Sequence, residues 1–154
     1  MKKYEFTGEV KVVYGRTLRK IRAAIAFGYV KAGEDGGWIE KEENLSHEGN
    51  AWVCGNAKVW GDAKVWGNAW VWGNAEVCGN EHYLVVGAIG SRKDFTTFFR
   101  SKNLEICVTC GCFRGNIDEF AKKVKQTHGE NKYAKQYMAA IEMAKVCIDL
   151  TPEN

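Results

Sequence analysis

A six-residue repeat runs without interruption from Gly49 to Asn80, with the sequence GNAWVCGNAKVWGDAKVWGNAWVWGNAEVCGN. Its unit is Ala-x-Val-x-Gly-Asn/Asp. Because alanine and valine stand two residues apart, an extended segment places both on one face and the variable positions on the other. Glycine allows a left-handed backbone at each corner, and asparagine or aspartate bonds to the backbone there. The repeat therefore predicts short strands joined by turns, with buried columns of alanine and valine.

This pattern resembles the hexapeptide-repeat family, whose fold is a left-handed parallel β-helix with about three units per coil. The resemblance implies a β-solenoid in which each residue lies beside the residue eighteen positions later. Trp52 is then expected beside Trp70. Lys58 is expected beside Glu76, as an ion pair between coils. The expected fold class is a short left-handed parallel β-helix joined to an α+β C-terminal cap, made of an antiparallel sheet and two helices.

Five tryptophans occupy variable positions of the repeat, where the pattern turns them away from the core. They are Trp52, Trp60, Trp66, Trp70 and Trp72. So much outward indole is unusual on a free surface, and we expect it to pack against another subunit or domain. Stacking of a ligand on the indoles is the alternative. Resemblance to the family implies self-association, with a homotrimer as the expected assembly.

The segment before the repeat, residues 1–48, is expected to form N-terminal strands and a lead-in cap. Its motifs KAG-x-x-GGWI and NLS-x-x-GNAWV resemble the lead-in of a polymer-forming or transferase-like subgroup of hexapeptide proteins, common in bacterial and bacteriophage genomes. Basic residues are frequent in residues 1–30, and we interpret them as a solvated face. They are Lys2, Lys3, Lys11, Arg16, Arg19, Lys20 and Arg22.

The chain has the totals of an ordinary globular protein: 154 residues, 45% hydrophobic and 27% charged. No apolar run approaches the length that crosses a bilayer, and the start MKKYEFTGEV lacks the apolar segment of a secretion signal. We therefore expect a cytoplasmic location, where the six cysteines stay reduced. The net charge of +3 gives no strong nucleic-acid signal.

Many hexapeptide proteins transfer acyl groups from coenzyme A with a histidine as general base. Here only His47 and His82 are reasonable candidates for that base. The repeat lacks the loop insertion that usually carries the catalytic histidine in the family, and five units are few for a coenzyme A groove. The sequence therefore leaves catalysis open but does not favour it, and no cofactor is expected.

Residues 81–154 are expected to form an α+β domain of three strands and two helices. The strands are HYLVVGAIG, DFTTFFRS and LEICVTCGCF, and a helix IDEFAKKVKQTH follows, capped by Asn116 or Asp118. The second helix has a stripe of Tyr133, Tyr137, Ala140, Ala144 and Ile148 as its core face. Three clustered cysteines, Cys107, Cys110 and Cys112, lack a fourth ligand at suitable spacing, so we predict no metal site.

Hydroxyl and guanidinium side chains cluster in this second half, in IGSRKDFTTFFR and CGCFRGN. Such groups form anion and phosphate sites, although surface turns have the same composition. The candidate ligand-binding residues are Ser91, Arg92, Thr96, Thr97, Arg100 and Arg114. This half resembles uncharacterised bacteriophage and prophage proteins, which implies a phage origin and the cytoplasm of a bacterial host.

Three hypotheses for function follow. The first is a non-catalytic, phage-encoded oligomer that binds a small anionic ligand of the nucleotide type, as a sponge for a signal of host defence. The second is a hexapeptide-type acyltransferase or acetyltransferase using coenzyme A. The third is a structural or adaptor protein that assembles through exposed tryptophans. We favour the first, since the sequence offers anion-binding groups without a convincing catalytic set.

Overall fold

The computed structural model describes residues 1–152 and divides into two compact units, Met1–Asn80 and Glu81–Asn154. The first unit contains seven strands and a single 3-10 turn, Glu42–Asn44. Its strands are β1 (Tyr4–Val13), β2 (Arg16–Ala23), β3 (Asp35–Ile39), β4 (Trp52–Val53), β5 (Lys58–Val59), β6 (Trp70–Val71) and β7 (Glu76–Val77). All four strands that lie within the repeat are two residues long.

The strands of the first unit belong to two sheets. One has five strands in the order β1-β2-β3-β5-β7, with antiparallel pairing from β1 to β3 and parallel pairing from β3 to β7. The other is the parallel pair β4-β6. A second pairing between lead-in and repeat, besides β3 with β5, is the isolated parallel bridge from Leu45 to Val65. The N-terminal hairpin β1-β2 turns at Tyr14 and Gly15, which both have positive φ.

The expected β-solenoid, a short left-handed parallel β-helix, is therefore wrong. The repeat does not close into a solenoid, because its strands are divided between a mixed five-stranded sheet and a separate two-stranded sheet. The physical reason is the length of the repeat. Five units give each repeat strand at most one partner from the repeat, so the remaining edge of β5 pairs with the lead-in strand β3, which continues into the antiparallel hairpin.

The predicted offset of eighteen residues is confirmed. Trp52 pairs with Trp70, and Lys58 pairs with Glu76. The alanine and valine columns are fully buried, at 0% exposure: Ala51, Val53, Ala57, Val59, Ala63, Val65, Ala69, Val71, Ala75 and Val77. The corner glycines from Gly49 to Gly73 have left-handed φ values, and a side chain at Gly49 would also meet the carbonyl oxygen of Gly67. The spacing thus fixes the pairing partners although it does not fix the sheet architecture.

Lead-in groups bind the carbonyl oxygens at the start of the repeat. Within the repeat, earlier amides donate to later carbonyls, as Trp52 donates to Ala69 at 2.9 Å. The first strands therefore need donors from outside the repeat. Trp38 supplies its amide to Ala57 at 3.0 Å, and the Lys3 ammonium supplies a bond of 2.7 Å to the Ala51 oxygen.

The backbone carbonyls of Gly61 and Ala63, in the repeat, are bound by a buried asparagine. Asn44 Nδ2 donates to the oxygens of Ala63 and Gly61 at 2.9 and 3.2 Å, and its Oδ1 accepts from the Lys41 amide at 2.9 Å. The side chain is fully buried. One side chain thus holds the lead-in turn to the repeat.

The second unit is a four-stranded antiparallel sheet with two helices. Its strands are β8 (Tyr83–Ile89), β9 (Asp94–Arg100), β10 (Ile106–Cys110) and β11 (Phe113–Asn116), in the order β11-β10-β9-β8. The helices are α1 (Ile117–His128) and α2 (Lys132–Cys147). Three strands were expected, and the difference arises in LEICVTCGCF, where the positive φ of Gly111 turns the chain and begins β11.

The helices begin at asparagine caps and cover one face of this sheet. Asn116 and Glu119 form a reciprocal capping box, with bonds of 2.8 and 3.0 Å, so Asn116 and not Asp118 is the cap. The predicted core stripe of α2 is confirmed at Tyr137, Ala140 and Ala144, which are buried. These residues pack with Phe98, Val108, Phe120 and Ile141.

Replacing Asn44 with alanine is expected to lower the free energy of unfolding by about 2–4 kcal/mol, because a buried carbonyl, a part-buried carbonyl and an amide lose their partner. Urea unfolding followed by circular dichroism measures the change. The control is Asn68→Ala, since Asn68 is an exposed corner of the repeat and the change there should stay within about 0.5 kcal/mol. Equal losses in the two variants would contradict the role of Asn44.

The buried ammonium of Lys3 makes the stability of the protein depend on pH. The residue is 1% exposed, and burial lowers the pKa of its ammonium from 10.5 to about 8. Between these values the unfolded chain binds more protons than the native one, so Lys3 makes stability rise with pH. We expect wild type to gain about 1–1.5 kcal/mol from pH 8 to 9.5 relative to Lys3→Met. Parallel stability profiles from urea unfolding would contradict this.

Candidate functional site

The six residues predicted to bind an anion do not meet at one point. Ser91 and Arg92 lie in the exposed turn after β8, whereas Thr96, Thr97 and Arg100 lie on β9 and Arg114 on β11. Adjacent residues of a strand face opposite sides, so Thr96 and Thr97 leave opposite faces of the sheet. Arg100 is buried and donates to the Thr151 carbonyl at 3.0 Å. Arg114 donates to the carbonyls of Gly111 and Phe113, both at 2.8 Å.

Two of the six residues approach a buried polar cluster around Cys110. Thr96 Oγ1 donates to Cys110 Sγ at 3.3 Å. The Tyr137 hydroxyl lies beside the same thiol, and burial, followed by the effect of Cys110, raises the pKa of Tyr137 to about 12. Arg92 places its guanidinium against Gly111, where a Cβ would collide with it. The polar groups of the cluster contact one another, and the contact of Tyr137 with Cys110 holds α2 to the sheet.

The clustered cysteines do not gather metal ligands. Within the part of the chain that the structure describes, no three histidine, cysteine, aspartate or glutamate side chains are placed to hold a metal ion. Cys110 is buried, Cys107 is half-buried and Cys112 is exposed. Burial raises the pKa of the Cys107 thiol, so this sulfur stays protonated at neutral pH.

The five repeat tryptophans differ in exposure. Trp52 and Trp60 are buried, Trp70 is half-buried, and Trp66 and Trp72 are 67% and 40% exposed. The Trp52 ring meets the edge of Phe27 with the centroids 5.2 Å apart, so this indole belongs to the core of the first unit. Trp66 and Trp72 are the members that present a large apolar surface.

Both candidate histidines are held by neighbouring groups. His47 stacks on Tyr4 with the ring centroids 4.1 Å apart, and its Nδ1 accepts from the Lys3 amide at 3.1 Å. The neutral ring therefore carries its proton on the buried Nε2, which has no lone pair to accept a substrate proton. Burial also lowers the pKa of His47. His82 is buried with its Nε2 3.8 Å from the Glu81 carboxylate.

Three lysines surround a tryptophan on the five-stranded sheet, and the sequence did not predict a site there. We call this group the lysine face and define it as Lys11, Lys20, Trp38 and Lys58. Trp38 on β3 pairs directly with Lys20 on β2 and with Lys58 on β5. Directly paired residues project from the same face of a sheet, so both lysines flank the indole. Lys11 reaches the same ring from β1.

The Trp38 indole is the centre of the lysine face. The Lys11 ammonium lies 4.1 Å from the ring centroid and the Lys20 ammonium 6.0 Å from it, both within the range of cation–π attraction. Lys58 Nζ donates to the Asn56 carbonyl at 3.0 Å. The expected ion pair between Lys58 and Glu76 is not formed at contact distance, and the Glu76 carboxylate accepts from the Tyr14 hydroxyl at 3.1 Å.

Positive charge accumulates on this face without full compensation. The pKa of Lys11 is lowered, first by partial burial and then by repulsion from Lys58 and Lys20. Across residues 1–152, Lys11 has no carboxylate within ion-pair distance, whereas Lys20 has Glu9 and Asp35. A bound anion would relieve this repulsion, so the face is suited chemically to hold one.

Two lysines of this face are recognisable in the sequence as part of a basic stretch. Lys11 and Lys20 belong to the basic stretch near the start of the chain, which was interpreted as solvated. Their convergence depends on the pairing of β2 with β3, and no spacing rule predicts that contact between separate segments. Lys58 was assigned to Glu76 because the eighteen-residue offset places the two side by side.

Comparison with known proteins adds no assignment. No protein-family model matches the chain, and no curated protein matches it. The resemblance to the hexapeptide-repeat family and to phage proteins therefore stays a prediction. Over residues 1–152, no helix has both the length and the apolar character needed to cross a membrane.

The pKa of Lys11 is expected to rise when Lys58 is replaced by glutamine, because the largest repulsive neighbour is removed. Reductive methylation with ¹³C-formaldehyde gives each lysine an NMR signal that reports its titration. The control is Lys31→Gln, which changes an exposed lysine away from the face and should leave the Lys11 titration unchanged. A Lys11 pKa that is equal in wild type and Lys58→Gln would contradict the proposed repulsion.

Proposed function

We propose that this chain binds a small anionic ligand on the lysine face and does not transform it chemically. The observation that carries the proposal is the position of two ammonium groups, those of Lys11 and Lys20, over one indole, with Lys58 paired beside that indole on the next strand. Within residues 1–152, Lys11 has no carboxylate at ion-pair distance. Two charges brought together at a half-buried site repel, and an anion between them converts that repulsion into attraction.

The surroundings of the lysine face favour binding over catalysis. Its neighbouring acid, Glu76, is buried and hydrogen-bonded to Tyr14. Glu40 is bound to Arg16 and to the Gly61 amide, each at 3.0 Å. A general base needs a free lone pair beside the substrate, and these carboxylates have other partners. His47, the candidate base of an acyltransferase, has its proton on a buried nitrogen.

The ligand class that we propose is nucleotide-type. An aromatic ring surrounded by lysines provides a surface for a base or sugar next to groups that bind phosphate. Sequestration of such a ligand as a signal of host defence, in the cytoplasm of a bacterial host, is part of the proposal and rests on the resemblance to phage proteins. The six free thiols are consistent with a reducing compartment.

Self-association also belongs to the proposal. The exposed indoles of Trp66 and Trp72 give the first unit an apolar surface that another subunit can cover. A homotrimer remains the predicted assembly, and binding of the anion does not require it.

Native mass spectrometry of the full chain with a pool of nucleotides and cyclic nucleotides tests the function. We expect a discrete ligand mass per subunit, with affinity that falls about tenfold in Lys11→Gln, because one charged hydrogen bond is lost. Lys31→Gln is the matched control and should bind as wild type does. The same spectra give the subunit number. Absence of any bound anion, or equal binding by Lys11→Gln, would contradict the proposal.

A further inference from the structure

The three lysines of the face are compensated unequally. Lys20 Nζ lies 3.5 Å from a Glu9 carboxylate oxygen and 3.6 Å from an Asp35 oxygen. Asp35 also accepts from Arg22 Nε at 2.9 Å, and this bond holds the pKa of the Asp35 carboxyl below its usual range. Lys20 is therefore part of a network of two carboxylates and two cations, and its charge is balanced by neighbours more than that of Lys11.

Among residues 1–152, no carboxylate lies within ion-pair distance of Lys11 or Lys58. The Lys11 ammonium lies over the Trp38 ring, and the Lys58 ammonium donates to a neutral carbonyl, that of Asn56. They flank Trp38 from opposite sides, since β1 and β5 lie on either side of β3 in the sheet order. The acid nearest in that order, Glu76 on β7, accepts from Tyr14. The Glu76 carboxylate keeps its charge beside Lys58, so Lys11 is the less compensated of the two ammonium groups.

We infer that the group recognised on the lysine face is a phosphate-monoester dianion, held between Lys11 and Lys58. This inference rests on the proposed function and specifies its ligand. A phosphate monoester has a second pKa near 6, so it has a charge close to −2 at neutral pH and attracts two ammonium groups more strongly than a monoanion does. Each ammonium is a point charge on a flexible stem, so both can close onto one tetrahedral group.

Other anions fit this arrangement less well. A carboxylate has a single charge, so it attracts two ammonium groups less strongly than a dianion does. Sulfate has two charges at every pH above about 3, so it matches in charge but does not titrate near 6. Methyl phosphate, sulfate and acetate thus form a set of probes that differ in charge and in its dependence on pH.

Isothermal titration calorimetry of the full chain with these three probes, at pH 7.5 and pH 5.0 and constant ionic strength, tests the inference. Methyl phosphate should lose about tenfold in affinity at pH 5.0, because only about a tenth of it is then a dianion. Sulfate should change less than twofold, which controls for titration of the protein's own carboxylates Glu9, Asp35 and Glu76. Acetate should bind at least tenfold more weakly than methyl phosphate at pH 7.5.

Variants separate the three lysines. Lys11→Gln and Lys58→Gln should each lose about tenfold in affinity for methyl phosphate, whereas Lys20→Gln should lose less than twofold. Unchanged urea midpoints show that the variants fold. An equal loss in all three, or a phosphate affinity as independent of pH as that of sulfate, would overturn the dianion inference while anion binding stands. No binding of any probe or nucleotide would overturn the proposed function as well.

Discussion

The first unit depends on satisfying the backbone carbonyls at the start of the repeat. Each repeat strand is two residues long, so it has few contacts of its own and relies on hydrogen bonds to its neighbours. At the first strands those neighbours are missing, and a buried carbonyl without a donor costs about 1–3 kcal/mol. Lys3, Trp38 and Asn44 supply the donors from three separate segments. The lead-in is thus the structural complement of the repeat.

This requirement also explains how the lysine face arises. The strand β3 must lie beside β5 to bind its carbonyls, and the antiparallel hairpin β1-β2 follows β3 in the same sheet. Side chains of four strands therefore project from one surface, and Trp38 is at its centre. The pairing that completes the fold thus brings the lysines together, and their positive charge makes that surface able to bind anions.

The sequence predicted local features well and architecture poorly. The spacing of alanine and valine identified the buried columns and the eighteen-residue offset, because both depend on the two-residue alternation of strands and on corners that recur every six residues. The β-solenoid was wrong, because closure depends on how many units are available and on which segments pair with them. In the second unit, the asparagine cap and the core stripe of α2 follow from local rules. The turn at Gly111 that begins β11 was not predicted, because the sequence does not show which glycine has a positive φ.

The candidate site was the harder inference, for a physical reason. Arginines and hydroxyls close together in sequence suggested an anion site, but backbone carbonyls and a buried thiol take up their donors, as at Arg114 and Thr96. The lysines without an ion pair at contact distance, Lys11 and Lys58, come from strands distant in sequence. Which charges are neutralised depends on side-chain neighbours across a sheet, and composition reports only the total.

The eighteen-residue offset has a consequence for how such a chain can change in length. Duplication of any eighteen consecutive residues within the repeat would add one partner to each ladder and leave every existing pair in phase, from Trp52–Trp70 to Val59–Val77. An insertion that is not a multiple of six would shift valines from the core to solvent and glycines away from the corners, and one of six or twelve would move units to a different ladder. We therefore expect related repeats of different length to differ by multiples of eighteen residues.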